Sequence, residues 1–538
     1  MAGEKEYRVV TKKGIDIAQV EVDLERNTTS DAAVSAHVPT RTVDVAYAKK
    51  ANNRITHYML TDAEAAELSK DPRIYTVSTL PDPETRELYE TQTGQFDRTT
   101  TNSQDAVNWA LKRHIRSDYD AATQSSTYTG DYTYTLDGTG VDIVIQDDGV
   151  DPTGHPEWND AEGTTRFEQF DWNTIISGSM PGTHYSNAYN DGQPAGEHGS
   201  HVAGIAAGKT YGWAKNAKIY SVRVFGGTSA MNSNDLWDCI RIWHENKPVQ
   251  ANGFKRPTIV NQSWGQSWYY NNDNNAAVQS IFFQGVDQSI TPQQWTSGTF
   301  TQYGAINSRH PLFDLSSNVE QEQLTDSGVI CVKAAGNGYH PCSGPNAPYH
   351  SDIYDSYYTL NESWQGIAAG NPIYYNRPSS PHSDDTVWVA NMDQDRYGGQ
   401  EFITQSSERG PRIDIIAGGQ EISSATSQVS TYGSKQLYPG SSTHYMARIG
   451  GTSMASPQIT GIGALWLQAN PGGTAQQFKD FLNIHATTDA YDTGTATDFN
   501  AYNAIPRRYG APAKTLHWPY SSPNPWGWTG TSGSGTLE

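Results

Sequence analysis

Three kinds of residue are scarce in this 538-residue chain, and each scarcity closes a class of function. Cysteine occurs only at Cys239, Cys331 and Cys342, with no C-x-x-C pair, so a zinc ribbon or a thioredoxin-like motif lacks its ligands. One thiol must stay unpaired within the chain. Cys331 lies in the apolar run GVICVKAAG, where a cysteine behaves as a small hydrophobe, and a Cys331–Cys342 bridge is left open. Positive charge is short: 37 Lys and Arg face 58 Asp and Glu, a net charge of −21 that disfavours general affinity for nucleic acid or anionic membrane. Long apolar runs are missing too. No stretch reaches the roughly 18 consecutive apolar residues of a membrane-crossing helix, and the opening MAGEKEYRVV lacks a basic segment followed by an apolar one. The expectation is an intracellular or virion-associated chain rather than one secreted by a standard signal.

What is present suffices for packed cores, since 36% of the residues are hydrophobic. The first 40 or so residues are mixed in charge and weakly periodic. TVDVAYAKK then alternates like a strand, and LTDAEAAELSKDPRIYTVST reads as a helix followed by a strand, with Thr61 and Glu64 spaced as a capping box. These define an α+β module over residues 1–82. Polar residues dominate 83–106, as in ETQTGQFDRTTTNSQ, which reads as an exposed linker. Residues 107–500 form the main domain. Its short Val/Ile-rich runs VDIVIQD, KIYSVRVFG, TIVNQSWG, GVICVKAAGNG and RIDIIAGG suit strands buried on both faces, and HGSHVAGIAAG and NDLWDCIRIWHENK have helical spacing between them. The fold class is therefore α/β, a doubly wound parallel sheet, with a small N-terminal α+β domain and an extended C-terminal tail over 501–538. YNNDNNAAVQ and YHSDIYDSYY look like long surface insertions. Internal repeats are not evident.

Ligands of open α/β sheets sit beyond the carboxyl ends of the strands, so the polar residues just after each apolar run carry the chemistry. Asp147 and Asp148 end VDIVIQ; His198 opens a helix in GEHGSHVAG; Asn337 ends CVKAAGNG; Ser453 stands in GGTSMASP. Each has a plainer alternative. Ser453 could cap a helix, Asp147 could serve a turn, His198 and His201 could be an i, i+3 pair for a metal or a core, and Asn337 could be a left-handed turn residue. Together they supply an acid, a base, an amide donor and a nucleophile at one sheet edge. The 15 Trp and 31 Tyr, with adjacent carboxylates, raise a carbohydrate-binding or glycan-cleaving reading. Adjacent strand residues point to opposite faces, however, so Asp147 and Asp148 do not make a two-carboxylate site. DGTG precedes its strand, whereas a dinucleotide fingerprint follows one.

In the same chain order, these motifs resemble those of the subtilisin-like serine proteases, the subtilases, over about residues 107 to 470. The resemblance implies Asp147 as triad acid in IVIQDDGVDPTGHPEW, His198 as base in HGSHVAG with His201 structural, Ser453 as nucleophile in GTSMASP, and Asn337 as oxyanion donor in AAGNG. It further implies that Ser263, Trp264 and Gly265 line one side of the pocket for the residue before the scissile bond, and Ala334, Ala335 and Gly336 the other. The N-terminal unit resembles the family's prodomain, which helps the protease fold and occupies its cleft. The expected partners are thus a polypeptide substrate and the chain's own N-terminal module as cleft inhibitor, with no nucleic acid and no membrane. No cofactor is required for the chemistry; structural calcium is common in the family, and Glu157 falls near a family ligand position. DQDRYGGQ fails the calcium-loop pattern at its fifth and twelfth positions. Two departures stand out. Asp148 replaces the usual Ser or Thr; the kexin-like branch also has Asp-Asp-Gly there, but HGSHVAG does not resemble that branch's histidine motif. Gly450 stands where Asn is frequent. The rival expectation is a structural or virion-associated protein that retains a latent protease domain.

Overall fold

The computed structural model describes residues 3–25, 36–47, 53–79, 86–88, 109–115, 133–134, 136–168, 172, 196–225, 235–269, 278–283, 286–288, 309–338, 340, 342, 355–361, 369–394, 401–404, 406–488, 514–518 and 531–532.

The N-terminal module is a four-stranded antiparallel sheet with two short helices. β1 (Lys5–Thr11), β2 (Val45–Tyr47), β3 (Ile55–Leu60) and β4 (Ile74–Ser78) lie in the order β2–β3–β1–β4. α1 (Ala18–Leu24) and α2 (Asp62–Leu68) complete it. α2 starts as its sequence requires: the Thr61 side chain accepts from the Glu64 N–H while the Glu64 carboxylate accepts from the Thr61 N–H. The weakly periodic opening nonetheless yields β1 and α1. Val9 packs in the module's own core, whereas its neighbour Val10 packs with Ile55 and with Val319 of the main domain. A strand covered on both faces loses the alternation by which it would be recognised.

Residues 83–106 lie outside the described residues except for β5 (Arg86–Leu88), which pairs with a main-domain strand. After α3 (Trp109–His114), the main domain contains β6 (Asp142–Asp147), α4 (Glu197–Ala207), β7 (Lys218–Arg223), α5 (Asp235–Glu245), β8 (Thr258–Gln262), β9 (Trp264–Tyr269) and β10 (Arg309–Pro311). It continues with α6 (Leu315–Asp326), β11 (Ile330–Ala334), β12 (Val387–Gln394), β13 (Glu401–Ile403), β14 (Ile415–Gly418), α7 (Thr452–Ala469) and α8 (Ala475–His485). The seven-stranded sheet runs β13–β12–β11–β8–β6–β7, with β14 also on β12; every pair is parallel except β12–β13. Alternate residues divide between two cores: Ile143 and Ile145 pack with α4 and α7, while Val144 packs with Leu236 and Trp237 of α5 and Leu324 of α6. Both faces are covered, as the continuous apolar strands demand. Chain order reverses beside β6, because β7 lies on one side of it and β8 on the other. This places a switch-point crevice at the carboxyl ends of β6 and β8.

The polar insertions lie mostly outside the described residues, but their ends, Val278–Phe283 and Tyr357–Leu360, pair antiparallel. The extended C-terminal segment is packed where it is described. Leu516 and Trp518 enter the main core, and His114 ties them to the sheet, its Nδ1 against Leu516 O at 2.9 Å and its Nε2 accepting from Gly418 N at 2.9 Å. The three cysteines are buried, and Cys331 and Cys342 are thiols, so the Cys331–Cys342 bridge does not form. Among the described residues, no helix is long and apolar enough to cross a membrane.

Candidate active site

β6 delivers Asp147 to the crevice, and a turn through Gly149, at φ +110°, releases the chain. Asp147 Oδ1 accepts from the Asp148 N–H at 2.8 Å and faces His198 Nδ1 at 2.7 Å, with both side chains buried. Asp148 points the other way. Its carboxylate accepts from the backbone N–H groups of His198 (3.1 Å) and Gly199 (2.6 Å), the positive end of α4. A Cβ on Gly196 or Gly199 would lie 2.1 Å from Gly149 O, so these glycines permit the close approach of β6 and α4. Burial, and then the neighbouring Asp147 charge, raise the Asp148 carboxyl above its ordinary range. His201 is one turn along α4, with its Nε2 3.1 Å from Ala447 O; burial lowers its pKa to about 3. It is a packed core histidine rather than half of a metal pair.

Ser453 is not a helix cap. The N-cap of α7 is Gly451, at φ +141°, and Ser453 is the helix's second residue. α7 is apolar nearly all round and accordingly buried. Its Pro457 has no N–H to give to the carbonyl four residues back, which is that of Ser453. Ser263 Oγ donates to that carbonyl instead, at 2.9 Å, and the Ser453 hydroxyl donates to Ser263 O at 3.0 Å. Asn261 holds this pair in place, donating to Ser263 Oγ and accepting from Ser456 and Thr460 of α7. Thr452 gives both its N–H and its hydroxyl to Asn337 Oδ1, each at 3.1 Å. Asn337 Nδ2 is left buried with no partner among the described residues. The structure thus brings Asp147 to His198, and Asn337 and Ser263 to the first turn of α7.

The residues expected to wall the pocket lie at the start of β9 and at and just after the end of β11. The Trp264 ring is fully buried against Trp237 and Phe225, so this wall is backbone rather than indole. β9 is paired on one side with β10 and on the other with β5, in the register Trp264↔Leu88, Gly265↔Glu87, Gln266↔Arg86. Ala334 and Ala335 are buried, and Gly336, at φ +117°, has the Glu408 carboxylate where a Cβ would project. At the Gly450 departure a Cβ would lie 2.7 Å from Gln420 Oε1, so a larger residue there requires the Gln420 side chain to move. Sequence reading passed over Gln420, Asn261 and Lys333. Only Lys333 had a signal, as a cation inside an apolar strand.

Glu157 does not fit a calcium site. Its carboxylate accepts from Thr210 N at 3.1 and 2.9 Å, Tyr211 N at 3.2 Å and the Tyr438 hydroxyl at 2.7 Å, so donor hydrogens occupy the positions a cation would need. DQDRYGGQ lies mostly outside the described residues, and among those described no three His, Cys, Asp or Glu gather as metal ligands. Glu157→Ala strands these buried donors and is expected to cost about 2–4 kcal/mol in denaturant unfolding, a loss that added calcium does not restore.

Comparison with known proteins identifies the family. The cuticle-degrading serine protease of Orbilia oligospora is 29% identical over 307 residues, covering 50% of this chain and 64% of that protein. Subtilisin-like protease 1 of Trichophyton rubrum is 23% identical over 381 residues, covering 70% of this chain and 51% of that protein. This chain therefore spans between about half and two thirds of the length of these relatives. Among solved structures, fervidolysin from Fervidobacterium pennivorans, described as a keratinolytic enzyme related to subtilisin, aligns over 96% of this chain and 60% of its own at 17% identity and a TM-score of 0.49. The model of the subtilase family, Peptidase_S8, matches residues 138–511, which include β6, α4, β11 and α7 with all four candidate residues, and the chain belongs to that family.

Proposed function

We propose that this chain is a serine endopeptidase that hydrolyses peptide bonds, with Ser453 as nucleophile, His198 as base, Asp147 orienting the imidazole and Asn337 as oxyanion donor. The observation that carries the reading is the Asn337 amide. Thr452, adjacent to Ser453, pins its oxygen, and its Nδ2 is held buried without an acceptor among the described residues, as a donor for an oxyanion would be. Asp147 against His198 Nδ1 supports the tautomer whose Nε2 accepts a proton. For reaction, the Ser453 hydroxyl turns from Ser263 O to His198 Nε2. Ser453 Oγ then bonds to the substrate carbonyl carbon, and its proton passes through His198 to the departing amine as the C–N bond breaks. Water repeats the sequence on the acyl-enzyme, so one water is consumed per bond cut. No step calls on a cofactor.

The N-terminal module is proposed as the inhibitor of its own cleft. Support comes from β5 on the β9 edge, from the fully buried side chains of Asp147, His198 and Ser453, and from the contacts that seat the module on α6. Arg8 pairs with Asp314 at 2.9 Å and Arg54 with Glu322 at 3.1 Å. Each step back along β9 is a step forward along β5. Leu88, the last described residue of β5, lies opposite Trp264, the neighbour of Ser263, so a self-cut is proposed in the segment that follows Leu88.

Mass spectrometry of the full chain with a fluorophosphonate probe, beside Ser453→Ala, tests both proposals. Labelling confined to Ser453, and an N-terminal fragment ending in the segment after Leu88 that the variant lacks, is the expected result. An unlabelled chain in both samples, even after trace trypsin has nicked the module, favours a permanently latent or structural protein. A labelled chain cut elsewhere overturns only the proposed position of the cut.

A further inference from the structure

Lys333 is the one charged residue of β11, the strand that leads to Asn337, and it is fully buried. It lies beside Gln262 of β8 and Trp388 of β12 in the parallel ladder. Its ammonium donates to the backbone carbonyl of Trp264 and stands 5.7 Å from the Trp264 ring centroid and 5.4 Å from that of Trp388. Two rings at cation–π distance soften the burial of a charge but do not explain its presence in the middle of a sheet.

The explanation lies in what the Trp264 carbonyl does. It starts β9, and successive backbone groups of a strand face opposite edges. The inward edge is fixed by three bonds: Trp264 O takes the Lys333 ammonium, Gln266 N–H donates to Ser380 O at 3.1 Å, and Gln266 O accepts from Leu312 N at 2.8 Å. Gly265, between them, consequently presents its N–H and C=O outward, where Glu87 of β5 is its register partner.

We propose that Lys333 is a positioning residue for the substrate main chain: by pinning the Trp264 carbonyl from behind, it holds Gly265 in the orientation that pairs with an extended polypeptide. This rests on the endopeptidase reading above. It concerns only the part of a substrate that lies along β9, two or more residues before the scissile bond. The bond-breaking groups are on other elements.

That separation supplies the test. Lys333→Met keeps the length and apolar stem but removes the donor, Lys333→Gln keeps a neutral donor of shorter reach, and Lys333→Arg keeps a charged donor. Rates are taken per fluorophosphonate-reactive Ser453, so that misfolded material is not counted. Two substrates are compared, a hexapeptide long enough to lie along β9 and N-acetyl-tyrosine ethyl ester, which reaches Ser453 without reaching Gly265. In Lys333→Met the KM for the hexapeptide is expected to rise about tenfold, the loss of one well-made buried hydrogen bond, with kcat little changed and the ester within twofold of the unsubstituted chain. Lys333→Gln should give the same split at smaller size, and Lys333→Arg should restore the hexapeptide KM. Equal losses on both substrates, or no loss on either, overturn the inference and leave Lys333 a core residue. An unsubstituted chain that hydrolyses neither substrate defeats the endopeptidase reading instead.

Discussion

Ser453→Ala is expected to lower kcat for peptide hydrolysis by about 10⁶-fold, the size known from removing the nucleophile of subtilisin itself, while leaving the fold intact. The small structural cost follows from the contacts. Among the described residues the hydroxyl makes one hydrogen bond, to Ser263 O, and the bond from Ser263 Oγ to the carbonyl of residue 453 survives the substitution. That acceptor, Ser263 O, is the group the proposed mechanism vacates when the hydroxyl turns to His198. The variant should therefore unfold at nearly the same denaturant concentration as the unsubstituted chain, should not react with a fluorophosphonate, and should retain its N-terminal module. Residual activity within a hundredfold of the original would remove Ser453 from the role of nucleophile.

Asn337→Ala is expected to lower kcat by about 10²–10³-fold with KM changed little, because the amide acts on charge that exists only as the carbonyl is attacked. The magnitude is that of the equivalent change in subtilisin and is carried over to this chain. Here the substitution also costs stability. Asn337 Oδ1 accepts both the N–H and the hydroxyl of Thr452, at 3.1 Å each, so alanine leaves the first turn of α7 with two unmatched donors. A loss of about 1–3 kcal/mol is expected. Asn337→Asp separates the two effects: it keeps the acceptor for Thr452 but loses the donor, so it should recover stability without recovering kcat. If Asn337→Asp were as fast as the original chain, the Nδ2 group would not be the oxyanion donor.

Part of this molecule was settled by sequence alone. The apolar runs from VDIVIQD to RIDIIAGG became a parallel sheet buried on both faces, because strands of that composition can be stable only when both faces are covered. The capping box at Thr61 and Glu64 formed as spaced, since it depends on residues three apart. Asp147, His198, Asn337 and Ser453 could be singled out as candidates because Asp147 ends β6, Asn337 comes shortly after β11, and His198 and Ser453 stand in the first turns of α4 and α7. Tertiary structure decided the rest. Ser453 as a helix cap and as a member of the α7–Ser263 pair have the same local sequence; a contact across 190 positions, from Ser263, distinguishes them. The calcium reading of Glu157 fell to backbone N–H groups of residues 210 and 211, which composition does not announce. β1 was hidden by its burial on two faces, one of them supplied by α6 more than 300 positions away, as the Arg8–Asp314 pair also shows. Periodicity records the faces a segment turns to water, and only the assembled chain determines which segments come to lie against it.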